Sequence, residues 1–172
     1  MRRPRALWPT ARLICTLLAT ALSGSGCGFT PLYSPPGVSS GLSEIKVVVP
    51  DGRVPYLLRE DLDDFLAHDK TSPPVWRLEI SVIQSRDPRG LSVTDVAERY
   101  ELGLKVSYNL TDIATGRVVY ASQVTTEVSY DSTVAPYAGI AARQDTQERA
   151  ASDAARRIQI ELAAWMAKNH AR

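Results

Sequence analysis

The chain has 172 residues, 44% hydrophobic and 23% charged, enough apolar material for one domain with its own core. A formal charge of +1 gives no basic surplus of the kind a nucleic-acid partner demands. Two cysteines are too few for a disulfide scaffold, so the fold must rest on packing.

The charges are unevenly placed. Arg2, Arg3, Arg5 and Arg12 lead into the uncharged run at residues 13–22, and no acidic residue precedes Cys27. Beyond that segment 16 basic residues stand against 19 acidic ones, a balance near −3. A basic start followed by a ten-residue apolar run is the pattern of a secretory signal, too short to cross a bilayer as a helix. Arg2-Arg3 alone lacks the flanking residues of a twin-arginine signal. The small residues Ser23-Gly24-Ser25-Gly26 lead directly into Cys27. They predict cleavage before this cysteine and its acylation, with residues 1–26 as signal peptide. Leu22 stands five places before Cys27, and Gly24 occupies the place where a lipobox usually has leucine. The other cysteine, Cys15, follows the bulky Ile14 inside the apolar run and makes a poor cleavage point. A leftover thiol at Cys27 is the alternative, but an unpaired cysteine in an oxidising compartment is a liability that lipidation removes.

Residues 27–43 read as a tether. Three prolines, two glycines and four serines or threonines between Thr30 and Gly41 disfavour regular structure. The folded domain is expected at residues 44–172. Residues 44–49 form a short β-branched run ended by Pro50-Asp51-Gly52, a strand and a turn. Leu57, Leu58, Leu62, Phe65 and Leu66 then recur at helical spacing, with Pro55 in the first turn and acids between them. Trp76, Leu78, Ile80 and Val82 alternate with polar residues, as do Tyr100, Leu102, Leu104, Val106, Tyr108 and Leu110. Each set predicts a strand with one buried face. The turn at residues 112–116 makes a hairpin with residues 117–130, where Val118, Tyr120, Val124, Val128 and Tyr130 are expected on one face. Finally Ala151, Ala154, Ala155, Ile158, Leu162, Trp165 and Met166 stripe a long helix, with small alanines suited to close approach. The order β-α-β-β-β-α predicts an α/β two-layer sandwich, two helices on one face of a four-stranded mixed sheet.

At its opening the mature chain reads Cys27-Gly28-Phe29-Thr30-Pro31-Leu32-Tyr33. With the hairpin ending at Tyr130, Tyr137-Ala138 and the Arg/Glu/Ala-rich last helix, it resembles the LptE family of LPS-assembly lipoproteins across the mature chain. The resemblance implies a two-layer domain seated in the lumen of an LptD-type outer-membrane β-barrel, acting as its plug and partner in lipopolysaccharide assembly. It also implies a lipid-anchored outer-membrane protein without enzymatic activity, cofactor or metal. Gly28, in place of Asp, is compatible with export to that membrane. Two rivals differ in class: an auxiliary lipoprotein of a lipid-transporting ABC system, recognised by its transporter partner, and a periplasmic enzyme, recognised by a pocket of convergent titratable groups.

Chemical candidates are few. His68 after the first helix reads as a helix-end histidine favoured by the dipole in preference to a metal ligand beside Asp63 and Asp64. Asp61, Asp63 and Asp64 read as a solvated helix face, and Tyr100, Tyr108, Tyr120 and Tyr130 as core residues in preference to a sugar-stacking array. Ser85-Arg86-Asp87-Pro88-Arg89-Gly90 reads as a loop between strands. Its Arg86 and Arg89 are candidate contacts to lipopolysaccharide phosphates or the barrel through bidentate hydrogen bonds, against the alternative of a plain exposed turn. The acylation site is directly testable. Cys27→Ala should leave the precursor uncut or mis-cut and abolish incorporation of a palmitate analogue in cells; equal labelling of both forms would remove the anchor assignment.

Overall fold

A computed structural model describes residues 37–91, 97–131 and 136–170. The expected signal peptide and most of the expected tether, Cys27 included, lie outside them. The elements are α1 (Val38–Ser43), β1 (Ile45–Val48), α2 (Arg53–Phe65), β2 (Trp76–Leu91), β3 (Ala97–Asp112), β4 (Val118–Asp131) and α3 (Pro136–His170). The strands form one sheet in the order β1-β2-β3-β4, β1 parallel to β2 and the other pairs antiparallel. Parallel neighbours need a crossover, and α2 supplies it. The expected α/β two-layer arrangement is the one found, with α2 and α3 as the helical layer and α1 as a third, short helix.

Period-two alternation sorts the sheet. Leu78, Ile80, Leu102, Leu104, Val106, Tyr108, Leu110 and Val124 point to the helices and are buried. Their odd-numbered neighbours, among them Glu79, Ser81, Lys105, Asn109, Gln123 and Thr125, are open to solvent on the other face. From α3 come Ala150, Ala151, Ala154, Ala155, Ile158, Leu162, Ala163 and Met166; from α2, Val54, Leu58 and Leu62, with Leu66 at its C-cap. Trp76, Trp165 and Tyr120 close the core with centroids 5.8–5.9 Å apart. The buried Tyr108 hydroxyl donates to Glu161, and burial followed by this carboxylate pushes the phenol well above its ordinary range.

Turns follow local chemistry. Asp112 Oδ1 accepts the Ala114 and Thr115 N–H groups, and Gly116 at φ 68 completes the β3–β4 connection. Ala67 at φ 50 ends α2 with a left-handed residue, the role glycine usually fills, while the His68 N–H reaches back to the Asp63 carbonyl.

Three expectations change. First, β2 runs to Leu91 and β3 begins at Ala97, so residues 84–90 are strand and not the expected loop. β1 pairs only with residues 76–79 of β2, which leaves the outer edge of distal β2 free and Pro88 tolerable there. Second, the β3–β4 register shifts between Leu110 and Thr111, giving Thr111 both Val118 and Val119 to face. Val118 thereby leaves the core face and is 57% exposed. Third, the last six residues of the expected tether are helical. Val38 and Leu42 of α1 are buried in the main core, where glycines and serines at neighbouring positions had argued for open chain.

The domain therefore starts before Glu44. A protein beginning at Gly37 should melt cooperatively, and Leu42→Ala in it should lose about 2–4 kcal/mol by the usual penalty for emptying a core site. Urea titration followed by circular dichroism checks this; equal midpoints would show α1 to be dispensable.

Candidate functional site

The far ends of β2, β3 and β4 carry the two candidate arginines. Because Arg86 and Arg89 lie on a strand three residues apart, period-two geometry sends them to opposite faces. The expected single loop with two convergent guanidinium groups is not formed.

Arg86 faces the helix side. Its guanidinium carbon sits 3.6 Å from the Tyr100 ring centroid and 5.9 Å from that of Tyr130. The register places Tyr100 opposite Tyr130, and the two rings stack with centroids 5.7 Å apart. A guanidinium over an aromatic face is held by the ring quadrupole and keeps its N–H edge free to donate in the plane. The buried Tyr130 hydroxyl has no hydrogen-bond partner among the described residues.

Arg89 faces the open side and forks onto Glu101, Nε to Oε2 at 3.2 Å and an Nη to Oε1 at 2.7 Å. The Glu101 carboxylate raises the already high pKa of this guanidinium. Beside it Arg99 bonds Asp131 at 2.9 Å across the β3–β4 pair. Arg89, Gly90, Arg99 and Asp131 line an open recess of about 570 Å³. Cation and carboxylate alternate here, so an anionic ligand would have to displace a carboxylate from either arginine. Arg99, Glu101 and Asp131 escaped the sequence reading. The alternation that placed Tyr100 on the core face also placed Glu101 and Arg99 on the open one, and would have exposed the pairing.

The other candidates resolve into structure. Tyr108 and Tyr130 are buried on the helix-facing side, with Tyr100 and Tyr120 partly so. His68 Nδ1 lies 3.2 Å from the Ser43 carbonyl, tying the chain after α2 to α1. Asp61 is half-buried at the α2–α3 boundary. Its carboxyl is pushed up by burial and by Asp64 and Glu60, against the pull of Arg156.

The LptE lipopolysaccharide-assembly model matches residues 42–162. A candidate lipoprotein of Caulobacter crescentus CB15 is 49% identical, with 77% of this chain and 97% of that one covered and a TM-score of 0.68. Rare lipoprotein B from Shewanella oneidensis shares 16% identity over 73% of this chain and 98% of its own at a TM-score of 0.58. Lipoprotein B from Nitrosomonas europaea shares 17% over 71% and 83% at 0.55. The last two show a common fold alone. No curated protein sequence matches the chain.

The contrast between the arginines has a measurable side. Arg86→Ala should cost about 0.5–1 kcal/mol, the worth of an exposed cation–π contact, with Arg86→Lys recovering part of it. Arg89→Ala should cost less, because exposed ion pairs contribute little. Thermal melts of the three variants decide; a larger loss at Arg89 would reverse this ranking.

Proposed function

Because this chain belongs to the LptE lipopolysaccharide-assembly family, we propose that it is an outer-membrane lipoprotein anchored through Cys27, which plugs an LptD-type β-barrel and assists lipopolysaccharide assembly at the cell surface. Its part is that of a partner and not a catalyst. The uncovered sheet face carries this reading. Among the described residues, two helices cover one side of the sheet and leave the other bare along β2, β3 and β4, with Glu79, Ser81, Lys105, Asn109, Gln123 and Thr125 in open rows. Such a face is too polar to drive self-association by the hydrophobic effect, yet flat and rich in hydrogen-bonding groups. The interior wall of a large membrane barrel is polar too, and a two-layer domain with one bare polar side suits it.

The arginines enter as two separate contacts. Arg89, on the open face, would meet barrel wall or a lipopolysaccharide phosphate by exchanging Glu101 for the new anion. Arg86, on the helix side, would present its free guanidinium edge from a tyrosine platform.

Gentle detergent extraction followed by mass spectrometry tests the proposal. A β-barrel should co-purify, and Ser81→Arg or Arg89→Glu should weaken its recovery while the domain's own stability changes by no more than about 0.5 kcal/mol. Recovery of an inner-membrane transporter in place of a barrel would support the ABC-system reading instead.

A further inference from the structure

We propose that the end of the domain carrying the β3–β4 turn rests on the phospholipid surface to which the chain is anchored, through an apolar row on the open sheet face. This rests on the reading that Cys27 is acylated.

Chain topology selects this end. The Glu44 carbonyl, at the exit of α1, accepts the N–H groups of Val75 and Trp76 at 3.1 and 3.3 Å. The entry of the polypeptide is thereby fixed to the base of the sheet. The six residues of α1 add about 9 Å. Ten residues separate Cys27 from Gly37, a reach of at most about 35 Å. The opposite end of the sheet lies the length of β2 away, about 50 Å over its 16 residues. A bilayer holding the acyl chains is within reach of the base and not of the far tip.

The surface at that base groups large aliphatic side chains, whereas farther along the open face Ile83, 61% exposed, stands apart from them beside Lys105. The Ile113 N–H donates to the Val75 carbonyl at 3.1 Å, which sets these side chains next to each other as one more rung beyond Trp76 and Asp112. In the next rung Val119 faces outward by alternation, and the shifted register turns Val118 outward too, opposite Thr111. Exposures are 42% for Val75, 39% for Ile113, 57% for Val118 and 38% for Val119. Arg77 and Arg117 flank the row, both exposed, with Arg77 only 3.7 Å from Glu79. Further along, the face turns to the polar rows described above. Aliphatic side chains edged by guanidinium groups match the headgroup region of a phospholipid bilayer, apolar atoms toward the acyl boundary and cations at phosphate level. Four aliphatic side chains bind a membrane weakly alone. A tether makes the contact intramolecular, so weak intrinsic affinity suffices.

The register shift acquires a use in this arrangement. Without it Val118 would continue the core-facing series of Tyr120 and Val124. With it, Val118 joins Val119 in the exposed row beside Ile113.

The experiment uses the full lipidated chain in vesicles of phosphatidylethanolamine and phosphatidylglycerol. With Cys27 acylated, Val118→Cys offers the mature protein's one free thiol for a nitroxide label. Ser107→Cys, in the middle of the open face, is the reference position. The label at 118 should be shielded from a water-soluble nickel complex and open to oxygen, the label at 107 the reverse. Adding Val75→Asp and Ile113→Asp should abolish the shielding at 118 while flotation with the vesicles stays unchanged. Flotation with equal nickel access at both positions overturns the proposal and leaves the anchor standing. Failure to float removes the anchor, and the proposal with it. Shielding that appears only when a barrel partner is added overturns the proposal and assigns the row to the barrel.

Discussion

A long helix can lie flat on a twisted sheet only where its contact stripe is shallow, and α3 meets that condition with alanine. Ala150, Ala151, Ala154, Ala155 and Ala163 are all fully buried, interleaved with Ile158, Leu162 and Met166. The small residues bring the helix backbone close enough for Thr126 of β4 to donate its hydroxyl to the Ala150 carbonyl at 3.3 Å. That contact and the Tyr108–Glu161 bond fix α3 against the sheet at two levels. α2 then fills the space beside α3, where Arg53 meets Glu148 at 2.7 Å and Gln159 donates to the Phe65 carbonyl. Replacing one stripe alanine by a larger residue would lift the helix from both partners at once, since close-packed interiors relax only partly.

One helical layer on one side of a four-stranded sheet has a consequence: among the described residues, the second side has no cover. In a protein that works alone this face would be selected only for solubility. Here it carries mostly polar side chains along its middle, with Ile83 exposed among them, cation–carboxylate pairs at the far tip and a group of aliphatic residues at the base. Such grading along a single face suits a domain whose surroundings change along its axis. A uniform solvent would not call for it.

The helices and the proximal strands were legible because each shows a clean period, 3.6 or 2, over several repeats. Leu58, Leu62 and Leu66 of α2 and the alanine stripe of α3 are buried as their spacing demands. Distal β2 was not legible, because Gln84, Ser85, Asp87, Pro88 and Gly90 each disfavour strand on local grounds. Pairing with β3 on one side overrides those preferences, while the free outer edge removes the usual objection to Pro88. α1 was hidden by composition: Ser39, Ser40 and Gly41 look like tether, but Val38 and Leu42, four apart, form a minimal apolar face that the core accepts. The exposure of Val118 came from a one-residue register shift, which no alternation pattern announces.

These misread stretches share a physical cause that bears on the candidate site. In a loop Arg86 and Arg89 could converge, as any two side chains there can, whereas a strand brings together on one face only those an even number apart. Once β2 is extended, Arg86 belongs with Tyr100 and Tyr130, and Arg89 with Glu101 and, beside it, the Arg99–Asp131 pair. The first grouping sets a guanidinium on an aromatic platform on the helix side, with no carboxylate partner among the described residues. The second stores its charge in ion pairs that a stronger anion must break. A single sheet end thus offers two kinds of positive group, one held by dispersion and the ring quadrupole and one by exchangeable carboxylates. Among the described residues Arg86 has aromatic partners and no carboxylate, whereas Arg89 is already paired with Glu101.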